Sequence, residues 1–136
     1  MDTKLPSERK ILRCIFEMYA PQFPGSHPGE NDPYLPIDAV EVAKALQCKP
    51  QLLFGYLYYY LDHKHRYQTA PNTWTHLFAL EVANRRHCVN YPYLAGILAS
   101  HDLEHSRAAW ALGVSVVALA LSVAGIIAQV VTANGT

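Results

Sequence analysis

Ala108–Thr132, AAWALGVSVVALALSVAGIIAQVVT, runs for 25 residues without one charged side chain. An α-helix needs about 20 apolar residues to cross a hydrocarbon core of ~30 Å, so this stretch is long enough to span a bilayer. To be a buried core helix instead, it would need a large covering partner. Only 107 residues precede it in a chain of 136, enough for one small domain and too few for a multidomain enzyme. The chain as a whole is 51% hydrophobic and 16% charged, with 11 Lys+Arg against 11 Asp+Glu. That is too apolar and too charge-poor for an ordinary small soluble domain. Aromatics at 11% and the lack of long charge runs argue against low-complexity disorder.

Outward from this stretch, MDTKLPSERK at the start of the sequence is not followed by an apolar run with a small-residue cleavage site, so no signal peptide is expected. Arg107 abuts the span and Arg85 and Arg86 lie upstream, whereas Ala133–Thr136 carries no Lys or Arg. The positive-inside bias therefore predicts a single-pass, tail-anchored protein with its N-terminal domain in the cytoplasm and Trp110 as an interfacial anchor. On a helical wheel Ala109, Gly113, Ala120 and Ala124 share one arc, and Ser115, Ala118, Ser122 and Gly125 share a roughly opposite one. Small residues permit close helix approach in lipid, so these eight are candidate packing positions for a homo-oligomer; they are also ordinary content for a membrane helix. Cys14, Cys48 and Cys88 are odd in number and lack metal-like spacing, which fits free thiols in a reducing compartment.

In the preceding part, Ser7 and Glu8 start a helix predicted over Glu8–Ala20, with Ile11, Leu12, Ile15, Phe16 and Tyr19 at helical spacing. Pro21–Pro36 holds five prolines and two glycines and reads as a loop. Asp38, with Glu41 three residues on and Ile37 and Val42 as a staple, starts a second helix. Pro50 opens a third, with Leu53, Phe54, Leu57, Tyr58 and Leu61 as its apolar face. His65–Gln68 and Thr73–Phe78 flank a turn at Thr69–Asn72 and read as a hairpin. Asn84–Asn90 reads as a polar connection. Pro92 opens a last helix with Leu94, Ile97 and Leu98 on one face and no breaker before the span, so one helix is predicted from Tyr93 through Thr132.

The succession of a helix, the pair VEVAKALQCKPQLLFGYLYYYLDHKHRY (Val40–Tyr67) and a hairpin resembles the winged-helix variant of the helix-turn-helix fold, over roughly Ser7–Ala79. The matching pattern is Val42-Ala43-x-x-Leu46, a short turn, then Leu53-x-x-x-Leu57 and Leu61. The long stretch before Asp38 departs from it. The resemblance implies a mainly α fold with a small hairpin, and a second helix that commonly enters the DNA major groove. Yet Pro50–Asp62 contains no Lys or Arg to neutralise phosphates, and only Lys49, Lys64, His65 and Arg66 flank it, so DNA is the weaker expectation. Tyr56, Tyr59 and Tyr60 instead suit a protein–protein surface. Lys64 and Arg66 are candidate partner contacts, and Arg85 and Arg86 form a candidate clamp for an acidic partner or for lipid headgroups.

His101-Asp102-Leu103-Glu104-His105 matches the H-x-x-E-H zinc pattern, but it stands three residues from the span without an evident third ligand. His101, His105 and Arg107 are better candidates for a juxtamembrane, pH-sensitive contact. His63-Lys64-His65 reads as a solvated helix end. His87-Cys88 are neighbours that do not face each other, which disfavours a catalytic thiol. No phosphate loop or Ser-His-Asp pattern occurs. The sequence thus predicts a winged-helix-like cytoplasmic domain over 1–90, a juxtamembrane amphipathic helix over 91–107, a span over 108–132 and a short tail over 133–136. It points to a non-enzymatic protein without metal or cofactor, its partners being membrane lipid and a cytoplasmic protein or further copies of itself. The alternatives are a membrane-bound transcription regulator and an oligomeric, membrane-perturbing effector.

Overall fold

A computed structural model describes residues 3–23, 32–82 and 84–135. Helix α1 is Glu8–Tyr19; Ser7 Oγ accepts from Lys10 N–H at 3.3 Å, and Ile11, Leu12, Ile15 and Tyr19 form the buried stripe. Pro21 then forces a short 3₁₀ turn over Ala20–Gln22. Strand β1 is Tyr34–Pro36, so the predicted loop over Pro21–Pro36 is corrected at its end; residues 24–31 lie outside the described residues. Proline suits such a place because β1 is an edge strand, where a missing N–H costs little. Helix α2, Ala39–Leu46, is capped by Asp38 Oδ1, which accepts from Val40 N–H at 2.8 Å and Glu41 N–H at 3.4 Å. Ile37 and Val42 are both buried beside it. Gln47 ends α2 at φ 57°, a left-handed cap.

Helix α3, Pro50–Gly55, continues into a π-helical segment, Tyr56–Leu61, and then α4, Asp62–His65. Asp62 N–H bonds Leu57 C=O, five residues back. Leu53, Leu57, Tyr58 and Leu61 face the core. Strands β2 (Tyr67–Ala70) and β3 (Thr73–Thr75) make a two-stranded hairpin through Pro71 and Asn72, the latter at φ 60°.

Strands β4 (Phe78–Val82) and β5 (Arg85–Asn90) join β1 in an antiparallel sheet of order β1-β5-β4. Asn84–Asn90 is therefore no polar connection: Arg85–Asn90 is the central strand, and Phe78 belongs to β4 rather than to the first hairpin. The alternation expected of a strand is broken at His87, which sits at φ 57° between the register pairs Ala79↔Cys88 and Glu81↔Arg86. Its carbonyl still accepts from Ile37 N–H at 2.8 Å. Beyond it Cys88, Val89 and Asn90 are all buried, because a strand with neighbours on both sides has little left to expose.

Helix α5 is Tyr91–Asn134 and continuous, starting two residues earlier than Tyr93. Asn90 Oδ1 accepts from Tyr93 N–H at 3.2 Å and caps a first turn in which Pro92 lacks an N–H to satisfy. The molecule divides into two units, the first ending at Ala99 and the second beginning at Ser100. The first, the head, thus includes the start of α5: Tyr91, Leu94, Ile97 and Leu98 join Ile11, Leu12, Ile15, Val42, Leu53, Leu57, Leu61, Phe78 and Val89 in one core. Each such side chain contributes about 1.5–3 kcal/mol when fully buried. In the second unit every residue from Asp102 to Gly135 is exposed. The chain is mainly helical, with small antiparallel sheets and a long apolar C-terminal helix that is a candidate membrane span.

Candidate functional site

Among the described residues, the π-helical segment presents the most exposed aromatic side chains of the head. Tyr59 is 78% and Tyr60 53% exposed, and Tyr56, half-buried, stacks on Tyr60 with ring centroids 5.0 Å apart and planes 14° from parallel. Tyr58 turns inward against Phe54 and Phe78 and shares a 3.1 Å hydrogen bond with His87 Nδ1. Burial pushes its phenol well above the ordinary range, so it remains protonated. The four tyrosines of this segment are thus sorted: Tyr58 packs, Tyr59 and Tyr60 are presented, and Tyr56 lies half-buried against Tyr60.

The cations flanking this surface are largely committed within the chain. Lys64 Nζ and His65 Nε2–H donate to the two oxygens of Glu8 at 2.6 and 2.7 Å, and Tyr93 O–H donates to His65 C=O at 2.6 Å. This ties the start of α1 to the end of α4 and to α5. Burial alone would raise the Glu8 carboxyl, but the bonds from Lys64 and His65 outweigh it and hold it below its ordinary value. Arg85 bonds Asp32 and, at 3.1 Å, Tyr34 C=O, clamping β1 to β5. Arg86 is exposed, opposite Glu81 in the ladder. Arg66 bonds His63 Nδ1 at 3.0 Å and lies 5.2 Å over the Trp74 ring.

Asp62, buried, is a residue the sequence does not single out. Its Oδ1 accepts from Leu77 and Phe78 N–H at 2.9 and 3.2 Å, and its Oδ2 from His76 Nδ1–H at 2.8 Å. It holds the start of β4 against the helix. The one available signal is its place one turn beyond Tyr58 and next to Leu61 on an otherwise apolar face. A cleft of about 310 Å³ beside it is lined by Tyr58, Tyr59, His76, Leu80 and Glu81. Among the described residues no three His, Cys, Asp or Glu side chains are grouped to hold a metal ion. Cys88 is buried, and burial pushes its thiol up against the pull of Arg85, making it a poor nucleophile; His87 beside it serves Tyr58.

In the second unit His101 is partly exposed, and His105 and Arg107 are exposed. Ala109, Gly113, Ser115, Ala118, Ala120, Ser122, Ala124 and Gly125 are all exposed along α5. The hydroxyls of Ser115, Ser122 and Thr132 bond the carbonyls of Ala111, Ala118 and Ala128 at 2.9, 2.9 and 2.6 Å. Each is the carbonyl four residues back, so these groups are satisfied within their own helix. Comparison with protein families, with curated proteins and with solved structures gives no match to this chain.

Proposed function

We propose that this chain is a non-enzymatic single-pass membrane protein whose winged-helix-like head, on the cytoplasmic side, holds a protein partner or further copies of itself at the membrane surface. The observation that carries the proposal is the state of α5 beyond Ala99. Trp110, Leu112, Val114, Val116, Val117, Leu119, Leu121, Ile126 and Ile127 are all exposed, although equally apolar residues in the first turns of the same helix are buried. Hydroxyls that bond their own helix remove a further cost of leaving water. Arg107 on one side and no Lys or Arg in 133–136 on the other favour a cytoplasmic head.

The winged-helix assignment is supported by the order α1, β1, α2, α3 and then β4 and β5, with β5 between β1 and β4. On this view the wing is the β4–β5 hairpin, and β2–β3 is an insertion before it. A protein partner is favoured over DNA because no Lys or Arg lies on Pro50–Asp62 and Lys64 is neutralised by Glu8. What remains exposed is Tyr59 and Tyr60, a residue type suited to protein contacts.

The test is to wash membranes of expressing cells with alkaline carbonate, solubilise the pellet in mild detergent, and measure oligomeric mass and co-purifying protein. The expected outcome is retention in the pellet and a particle larger than one chain. Tyr59→Ala with Tyr60→Ala should shed a protein partner. Apart from its own stretch of helix, nothing described lies within 4 Å of a Cβ added at Gly113, so a mass lowered by Gly113→Leu reports a helix–helix contact. A chain freely soluble without detergent, or a bare monomer, overturns the proposal.

A further inference from the structure

The β2–β3 hairpin buries none of its residues: every position from Arg66 to Trp74 is exposed. An isolated two-stranded ribbon of this size is marginal in water, so its side chains are spent on something other than the core. The register pairs Tyr67↔Thr75 and Gln68↔Trp74 divide it into two faces. On one face Tyr67 meets the edge of Tyr93 at 5.6 Å and Thr69 Oγ1 bonds Thr75 Oγ1 at 3.2 Å. The other carries Trp74, 48% exposed, with Gln68 beside it and the Arg66 guanidinium over the indole. No Asp or Glu occurs between His63 and Leu80, and among the described residues no carboxylate pairs with Arg66.

We infer that the Arg66–Trp74 face of this hairpin docks on the headgroups of anionic phospholipids. An indole and a guanidinium side by side fit the membrane–water boundary. There the ring sits among glycerol and upper acyl groups, its N–H meets an oxygen, and the cation meets phosphate. Charge complementarity selects an anionic surface, since this face has a cation and no counterion of its own. Duplex DNA fits less well, because it rewards a row of phosphate contacts and this face offers one cation. The inference rests on the proposed membrane anchoring, which supplies such a surface wherever the chain resides.

The chain has two tryptophans, so in Trp110→Phe the emission of Trp74 is read alone. That variant is reconstituted into nanodiscs of phosphatidylcholine, with or without phosphatidylglycerol, each containing headgroup-nitroxide lipid; flotation verifies insertion. Trp74 should be quenched more strongly in the anionic discs, and the difference should vanish in Arg66→Gln and at high salt while persisting in Arg66→Lys. Inserted protein whose Trp74 emission is indifferent to lipid charge overturns the inference and leaves the anchoring proposal standing. Failure to insert sinks both. A response to short duplex DNA in neutral discs with the same Arg66 dependence assigns the face to nucleic acid and overturns its assignment to lipid.

Discussion

The hairpin β4–β5 buries Phe78, Cys88, Val89 and Asn90, whereas β2–β3 buries none of its residues. The difference lies in their neighbours. β5 has a strand on either side, and the β4–β5 hairpin takes part in the core, while β2 and β3 have only each other. A ribbon within the core is fixed by area removed from water; one outside it is held by a local ladder and a few ring contacts. Position in the sheet thus assigns one hairpin to stability and leaves the other free for a surface role.

The contrast can be tested by substitution. Phe78→Ala should cost most, about 3–5 kcal/mol, because a fully buried ring leaves a cavity that the sheet cannot close. Thermal unfolding of the detergent-solubilised chain would measure it, and a loss below 1 kcal/mol would mean that β4–β5 is not integral to the core. Asp62→Ala comes next, at about 2–3 kcal/mol, since it strips the acceptor from two buried N–H groups; Asp62→Asn, which keeps one acceptor oxygen, should lose less.

The Glu8 clasp gives a smaller and pH-dependent effect. Its folded carboxyl titrates below the ordinary value of 4.5, so its contribution is complete above that pH and is lost as pH falls through the folded value. Melting temperature should therefore decline below about pH 4.5, and Glu8→Gln should flatten that part of the profile; an unchanged profile would remove the clasp from the account. Trp74→Ala should move stability least, by no more than ~0.5 kcal/mol, because its ring is half exposed on a hairpin outside the core. A loss as large as that of Phe78→Ala would erase the distinction between the hairpins.

What the sequence revealed follows the same division between local and distant causes. Asp38 with Glu41 and Pro50 act within a few residues of themselves, and the helices they open start where expected; a hairpin stands near the expected turn at Thr69–Asn72, but Thr69 and Ala70 belong to β2, His65 ends a helix, and the second strand stops at Thr75. β5 escaped notice because the partners of its polar side chains lie far away in sequence: Arg85-Arg86-His87 looks polar, while Arg85 in fact clamps Asp32 and His87 bonds Tyr58. β1 is three residues at the end of a proline-rich stretch, paired to β5 from more than 50 positions away. The π step at Tyr56–Leu61 has no signature in composition, yet it lies in the segment that turns Tyr58 inward and leaves Tyr59 and Tyr60 outside. Of the candidate cations, spacing alone could not tell that Lys64 and Arg85 are already engaged within the fold.

Asp62 also bears on how copies of the chain behave when crowded. β4 is the last strand of its sheet, and a bare rim of amides there would invite the same rim of a neighbour, above all for molecules confined to a plane. By occupying the amides of Leu77 and Phe78, the carboxylate puts a stopper on that rim. Its removal would then matter twice: once for the isolated molecule, and again as a licence for runaway strand exchange between molecules.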